Sequence, residues 1–272
     1  MLSIEIVVAA MNQHDFSLVD KMNVDTDIVI ANQADEFSYK KGVFKSKVVK
    51  MITTSQRGVG LNRNIGLDFA TGDLLMLSDE DIVYHDGYEE VVKKAFEELP
   101  DADLIIFQMQ FKKNGVVYDV DRHKTKRLHM WNGLGYGTYQ IVVRKKSLDK
   151  ANIHFTHLFG GGCIYSAGED SLFLIDCFKK GLKAYSYAGL IGDNIRDQSS
   201  WFRGFTKKFF FDRGAFAACA FPKFGNLICL YYLFAYRKIK TCSMKEKYRL
   251  MRAGFKGFKK LLTFEQWIQE HE

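Results

Sequence analysis

Proline is nearly missing from this 272-residue chain, with two in all, and cysteine is sparse, with five and no CxxC pair. The first shortage argues against proline-rich disorder and collagen-like repeats, and 47% apolar with 26% charged residues describe an ordinary globular protein. The second argues against a disulfide framework or a structural zinc site and points to a reducing interior. None of His14, His85, His123, His129, His154, His157 or His271 falls in an HxxxH metal spacing, so each reads as structural or surface. No basic residue precedes the apolar run in MLSIEIVVAAMN, which therefore reads as a first core strand rather than a cleaved signal peptide, and a cytoplasmic location is expected. The length suits one elaborated domain or a domain with an appendage.

Charge is present but uneven. The net +7 resolves into +10 over residues 201–272 and −3 before them. A near-neutral front with acidic clusters and a basic, aromatic back suggest chemistry in the first and attachment to something anionic in the second.

Residues 4–10, 27–31 and 47–52 are short β-branched apolar runs, as buried strands are. From Gly60 the pattern turns helical, with Leu61, Ile65 and Phe69 as the apolar face and Gly72 placed as a C-terminal cap. Residues 74–78 form a strand running into Asp79-Glu80-Asp81, followed by a helix over 87–99 and a strand over 103–109. This alternation predicts an α/β fold with a mostly parallel sheet, whose ligands bind beyond the carboxyl ends of the strands. Residues 115–120 and 138–144 look hairpin-like, a helix over 172–180 and a strand over 182–187 follow, and beyond about 199 the chain reads as helical. The division expected is 1–200 and 201–272.

Three carboxylates at a strand end repel one another unless a cation or donors compensate, and Mg2+ or Mn2+ would bind one or two of them together with phosphate oxygens. On a strand end Asp79 and Asp81 share a face while Glu80 points elsewhere. Taken alone, the triplet reads first as a solvated acidic turn before a helix. Gly168-Glu169-Asp170 opens an apolar helix, where a carboxylate favours the positive helix end or, in a shared crevice, acts as a general base. Gly160, Gly161 and Gly162 let a substrate approach the backbone or simply form a turn. Residues 56–64 (QRGVGLNRN) join a strand to a helix with glycines and two arginines, a cradle for phosphates that is neither a Walker loop nor GxGxxG.

In their order, the Gly-Leu-Asn-Arg-Asn-Ile-Gly-Leu stretch, Thr-Gly-Asp, an apolar strand, the acidic triplet and the Gly-Glu-Asp helix resemble family 2 glycosyltransferases of the GT-A fold, over residues 3–201. That resemblance implies a Rossmann-like mixed, mostly parallel sheet flanked by helices. It implies that the segment Leu61–Leu67 helps hold the nucleotide, that Asp79 and Asp81 form the DXD-type metal and diphosphate site, and that Asp170 is the catalytic base with Glu169 as neighbour or substitute. The nucleotide-sugar set is then Asn12, Asn32, Gln33, Arg57, Arg63, Asn64 and Asp79, with Gly160–Gly162 as an acceptor loop. The resemblance further implies an inverting, hexosyltransferase-like reaction with a UDP-sugar donor and Mn2+ or Mg2+. Against the family pattern, the first strand ends in Ala10-Met11-Asn12 without a proline. Ala31-Asn32-Gln33 replaces paired aspartates, although its amides can hydrogen-bond a pyrimidine edge. Residues 191–200 hold no histidine, leaving Asp193 or Asn194, or water and phosphate, to complete a metal shell.

Residues 201–236 carry 13 aromatics interleaved with lysine and arginine, and the tail's longest uncharged run, 224–236, is too short to span a bilayer, which takes about 20 residues. Such a segment lies on a membrane or packs in a core. The expected partners are therefore a glycan or lipid-linked acceptor and the inner face of the plasma membrane, in bacterial surface-polysaccharide synthesis. Nucleic acid is not expected, for want of a recognised motif. The alternatives are a nucleotidyltransferase on a similar scaffold and a non-catalytic membrane-bound scaffold protein.

Overall fold

The computed structural model describes residues 2–196 and 204–271, which fall into two compact units: Met1–Thr156 with Asp170–Gln198, and His157–Glu169 with Ser199–Glu272. The second unit thus draws in the glycine-rich segment before residue 170 as well as the chain beyond 198.

In the first unit the elements run β1 (Ile4–Met11), α1 (Leu18–Lys21), β2 (Asp27–Gln33), β3 (Ser38–Phe44), β4 (Lys47–Thr54), α2 (Val59–Phe69), β5 (Leu74–Asp79), β6 (Ile82–Tyr84) and α3 (Tyr88–Glu98). They continue with β7 (Leu104–Lys113), β8 (Val116–Val120), β9 (Lys126–Leu128), β10 (Ile141–Arg144), α4 (Lys145–Ala151), α5 (Glu169–Lys179) and β11 (Ala184–Ile195). One mixed sheet joins the strands in the order β3-β4-β2-β1-β5-β10-β7-β11-β6, with β8 on β7 and β9 on β11. β4, β2, β1 and β5 pair in parallel, β10 enters antiparallel between β5 and β7, and β7 pairs in parallel with β11. The carboxyl ends of β1, β2, β4 and β5 therefore share one edge of the sheet, where an open α/β sheet presents its ligand crevice.

Strand alternation supplies two cores. Ile6, Val8 and Ala10 of β1 pack with Leu18, Met22, Tyr88, Val92 and Phe96 on one face, and Val7 packs with Leu67, Leu148, Phe173 and Leu174 on the other. Helices on both faces make a three-layer α/β unit, as the alternation of elements predicted, and it has the GT-A form that the family resemblance implied.

The helical face expected on α2 is not the one buried. Phe69 is exposed and Leu61 and Ile65 are half-buried, whereas Gly60, Asn62, Arg63, Asn64, Gly66 and Leu67 are inside. Polar groups go inside when each finds partners there. Nor does Gly72 cap α2: the helix stops at Ala70 in an extended conformation, and a Cβ on Gly72 would stand 2.7 Å from that of Glu5. Glu5 instead accepts from the Thr71 and Gly72 amides and pairs with Lys50 at 3.0 Å. Lys50 also donates to the Phe69 carbonyl (3.0 Å) and the Thr71 hydroxyl (2.9 Å), tying β1, β4 and the end of α2 together. Removing one partner of a buried pair leaves the other charge stranded, so Lys50→Met is expected to lower stability by about 3 kcal/mol in urea unfolding. A change indistinguishable from zero would mean that this network is solvated.

The second unit is helical: α6 (Lys207–Ala220), α7 (Gly225–Ala235), α8 (Met244–Gly257) and α9 (Phe264–His271). Phe209, Phe210, Phe211 and Phe216 of α6 are buried, so much of the aromatic density belongs to a core. α6 and α8 meet backbone to backbone, since a Cβ on Gly214 would lie 1.8 Å from the Met251 carbonyl oxygen and one on Gly254 would lie 1.9 Å from that of Phe211. No rotamer relieves a clash with a carbonyl, so Gly254→Ala is expected to cost about 3 kcal/mol, the upper end of overpacking. Limited proteolysis should then cut within 204–271 while the first unit stays resistant. Lys247 of α8, fully buried, donates to the Tyr236 carbonyl (2.9 Å) and to that of Ile239, satisfying backbone groups at the end of α7.

Candidate active site

α2 starts where β4 ends, from Gly58 with φ 123°, and its first turns cross the carboxyl ends of β1 and β2. The Asn62 amide fixes that crossing by donating to the carbonyls of Ala31 (2.7 Å) and Ala10 (3.3 Å). A Cβ on Gly66 would lie 2.6 Å from Val7, so glycine lets the helix sit close on β1. Asn64 holds the backbone of Phe155 by two hydrogen bonds, Nδ2 to the carbonyl at 2.9 Å and Oδ1 from the amide at 2.8 Å.

Between these two asparagines Arg63 turns into the crevice with its side chain 5% exposed. Its Nη2 meets Asp79 at 2.7 Å and its Nη1 meets Asp170 at 3.2 Å. The guanidinium lies 5.3 Å over the Phe155 ring, which in turn stacks on Phe173. One planar cation, held by an aromatic face, thus joins a carboxylate at the end of β5 to one in the first turn of α5, groups 91 residues apart in sequence. The fully buried Thr138 donates its hydroxyl to the same Oδ1 of Asp170. β10 runs antiparallel to β5 with Val142 opposite Met76, so the turn Thr138–Gln140 arrives beside Asp79.

The acidic triplet splits three ways. Asp79 pairs with Arg63. Glu80 turns back, accepting from the Met11 amide (3.2 Å) and the Gln13 side chain (2.8 Å), and so points away from its neighbours, although it sits in the turn after β5 and not on the strand whose alternation suggested this. Asp81 reaches solvent, yet protein atoms crowd it. That desolvation, with the Asp79 carboxylate second and Glu80 adding to it, pushes its pKa up to about 6. Among the described residues Asp81 has no side-chain partner on another residue, and no three His, Cys, Asp or Glu side chains are grouped to hold a metal.

Of the residues expected to bind the nucleotide, Asn12, exposed with φ 53°, turns the chain at the end of β1. Asn32 is buried and its amide is spent on Gln13 (N to Oδ1 2.9 Å, Nδ2 to O 2.8 Å) and on Thr53, so it braces the loop after β1 instead of presenting an amide to a base. Gln33 lies beside it at the strand end. Arg57 pairs with the exposed Asp35, linking the loops that follow β2 and β4. Asn64, spent on Phe155, is likewise a positioning residue.

Glu169 turns its carboxylate back to the Gly168 amide (3.1 Å). Gly160 and Gly162, with φ of 110° and 78°, form a tight turn closed by hydrogen bonds from the Gly160 amide to the Tyr165 carbonyl and from the Tyr165 amide to the Leu158 carbonyl, and that turn belongs to the second unit. Asp193 is not positioned as a replacement ligand: it is buried and held by Lys112, His85 (2.9 Å) and Gln110 (3.0 Å). Burial alone would raise its pKa, but the hydrogen bonds and charges of Lys112 and His85 keep it below the ordinary carboxylate value. Asn194 accepts from Arg196 at 3.3 Å. The Ser199-Ser200 stretch lies outside the described residues. Thr138 and Gln13 were not anticipated and carried no sequence signal, whereas Asn62 was expected as part of the Leu61–Leu67 segment.

Comparison with known proteins bears on the fold and the family. The solved structures similar to this chain include S. aureus TarS 1–349 in complex with UDP-GlcNAc (11% identity, TM-score 0.61, 95% of this chain and 92% of that one). The same TarS fragment in complex with UDP aligns at 11% identity and TM-score 0.58, over 97% and 93% of the two chains. At such identity these matches establish the fold. No curated protein matches the chain. Residues 23–168, more than half of the sequence, match the family described as glycosyl transferase family 2. With that match over β2 to the threshold of α5, including Arg63, Asp79 and Asp81, the chain belongs to glycosyl transferase family 2.

Proposed function

We propose that this chain transfers one sugar from a nucleotide-sugar, a UDP-sugar by preference, to a hydroxyl of a glycan or lipid-linked acceptor, with inversion at the anomeric carbon. The observation that carries the reading is Arg63 touching both Asp79 and Asp170, because it brings the diphosphate-side carboxylate and the base into one crevice at the carboxyl ends of the strands. The TarS complexes with UDP and UDP-GlcNAc support the choice of donor. Gln33 and Asn12 line the strand ends where the base would lie, and Arg57 and the α2 amino terminus offer donors to phosphate. Asp170, oriented through Oδ1 by Arg63 and Thr138, takes the proton of the acceptor hydroxyl as that oxygen attacks the anomeric carbon and the nucleoside diphosphate leaves.

A divalent cation fits the residues present. Asp81, crowded and without a side-chain hydrogen-bond partner among the described residues, stands close to Asp79, and two carboxylates with phosphate oxygens and water make an ordinary Mg2+ or Mn2+ shell. When bound, such an ion would neutralise the diphosphate and ease its departure. The place of work is the inner face of the plasma membrane, in assembly of a surface polysaccharide.

The test is product analysis with UDP-sugars and Mn2+. UDP release with sugar transfer is expected, and Asp81→Asn should raise the Mn2+ requirement and cut kcat/KM by about a hundredfold, the loss of roughly 3 kcal/mol of charge stabilisation. Inertness towards UDP-sugars together with release of pyrophosphate from UTP and a sugar 1-phosphate would make the chain a nucleotidyltransferase, and tight UDP binding without turnover would make it a scaffold.

A further inference from the structure

The second unit sorts the aromatic tail into two populations. The phenylalanines of α6 face inward. On α7, Leu227, Leu230, Tyr231 and Phe234 recur at the i, i+3, i+4, i+7 spacing of a single helical face, and all are exposed, Leu227 at 63%, Tyr231 at 65% and Phe234 at 62%. Phe224, just before the helix, extends the stripe at 61% exposure. The opposite face is the one that packs: Cys229 is buried, and Gly225 lies so close to α8 that a Cβ would meet the Phe255 ring at 1.8 Å. A soluble surface rarely carries so contiguous an apolar stripe without an occupant.

Charge identifies the occupant. From residue 213 to 245 the sequence has no acidic residue and six basic ones, Arg213, Lys223, Arg237, Lys238, Lys240 and Lys245. Lys223 stands exposed just before α7, and Arg237, Lys238 and Lys240 are exposed just after it. Cations bracketing an aromatic and leucine face match an interface whose centre is hydrocarbon and whose rim is anionic. α7 has 11 residues, and among the described residues no helix is long and apolar enough to cross a membrane, so the helix lies in the interface plane.

We propose that the outer face of α7 docks on an anionic lipid bilayer, with Phe224, Leu227, Leu230, Tyr231 and Phe234 entering the headgroup zone and Lys223, Arg237, Lys238 and Lys240 pairing with lipid phosphates. This deepens the peripheral placement given above, and it uses residues of the second unit alone, so it stands or falls separately from the chemistry.

The experiment is co-sedimentation of the full chain with vesicles rich in phosphatidylglycerol, against phosphatidylcholine vesicles. Binding is expected to the first, weakened by salt, and to fall at least about tenfold in the Leu227→Asp/Phe234→Asp double variant, since two partly inserted side chains are lost. Val116→Asp, at an exposed apolar site of the first unit, should leave binding unchanged, as should Asp170→Asn, which separates docking from turnover. In Tyr231→Trp, the emission of the introduced indole should shift to the blue on adding anionic vesicles, a readout that does not depend on charge reversal. Equal binding by the double variant, or no spectral shift, overturns the proposal. So does a concentration-dependent dimer in sedimentation that dissolves in the double variant while vesicles are ignored, which would assign the stripe to a second copy of the chain.

Discussion

Replacing Asp170 with asparagine is expected to lower kcat for sugar transfer by about a thousandfold, within the range of roughly 10² to 10⁴ that a positioned base contributes. The substitution keeps the shape and the hydrogen-bond acceptor that Arg63 and Thr138 address, so UDP affinity and the melting temperature should hardly move. Loss of kcat without loss of donor binding is the signature of an interaction made in the transition state. Thr138→Val provides the graded companion. It removes one donor to a charged oxygen, worth roughly 1.5 kcal/mol, and should cost about tenfold in kcat with KM for the donor unchanged. Thr138 acts through Asp170, so the two losses should not add: the double variant should turn over like Asp170→Asn alone. Initial rates with a UDP-sugar across the four chains measure this, and wild-type turnover by Asp170→Asn would remove the assigned base.

The strands of the parallel half could be read from the chain because they are buried on both faces, and continuous runs such as those of β1, β2 and β5 record that directly. β3 went unread for the opposite reason: SYKKGVF lies on the sheet edge with most side chains half-buried or exposed, so no apolar run marks it. β6 has three residues, too few for any period. α2 is the more instructive case. Its apolar spacing selected Leu61, Ile65 and Phe69 as the inner face, but burial there follows hydrogen-bond partners rather than hydropathy, and Asn62, Arg63 and Asn64 each have one in the crevice. The acidic triplet and Asp170 were legible as residue types on strand and helix ends. That Glu80 is spent on the loop after β1, and that Thr138 supports Asp170, depends on the β10–β5 register, which local pattern does not carry. The tail failed in a similar way: density announced an unusual surface, and only the packing of α6 and α7 told inward rings from outward ones.

Arg63 is where the chain's two acidic regions depend on one side chain, and its replacement should have an effect second only to that of Asp170. The guanidinium addresses two carboxylates with separate nitrogens, a geometry that lysine, a single point charge, cannot reproduce. Arg63→Lys is therefore not conservative and should lose about a hundredfold in kcat/KM. In Arg63→Met the side chain still packs on Phe155, but Asp79 and Asp170 lose the cation that joins them. Removing one partner of a buried pair costs about 3–5 kcal/mol, and the lower end applies here because the two carboxylates are only partly covered. The crevice then holds acidic groups from both regions without the guanidinium between them, the condition that favours a divalent cation. The methionine variant should therefore bind Mn2+ more tightly than the parent in calorimetry without nucleotide, while binding UDP and transferring sugar more weakly. The opposite ordering for Mn2+ would mean that Arg63 holds Asp79 in a ligating pose, and the arginine would then be part of the cation site's scaffold instead of its electrostatic rival.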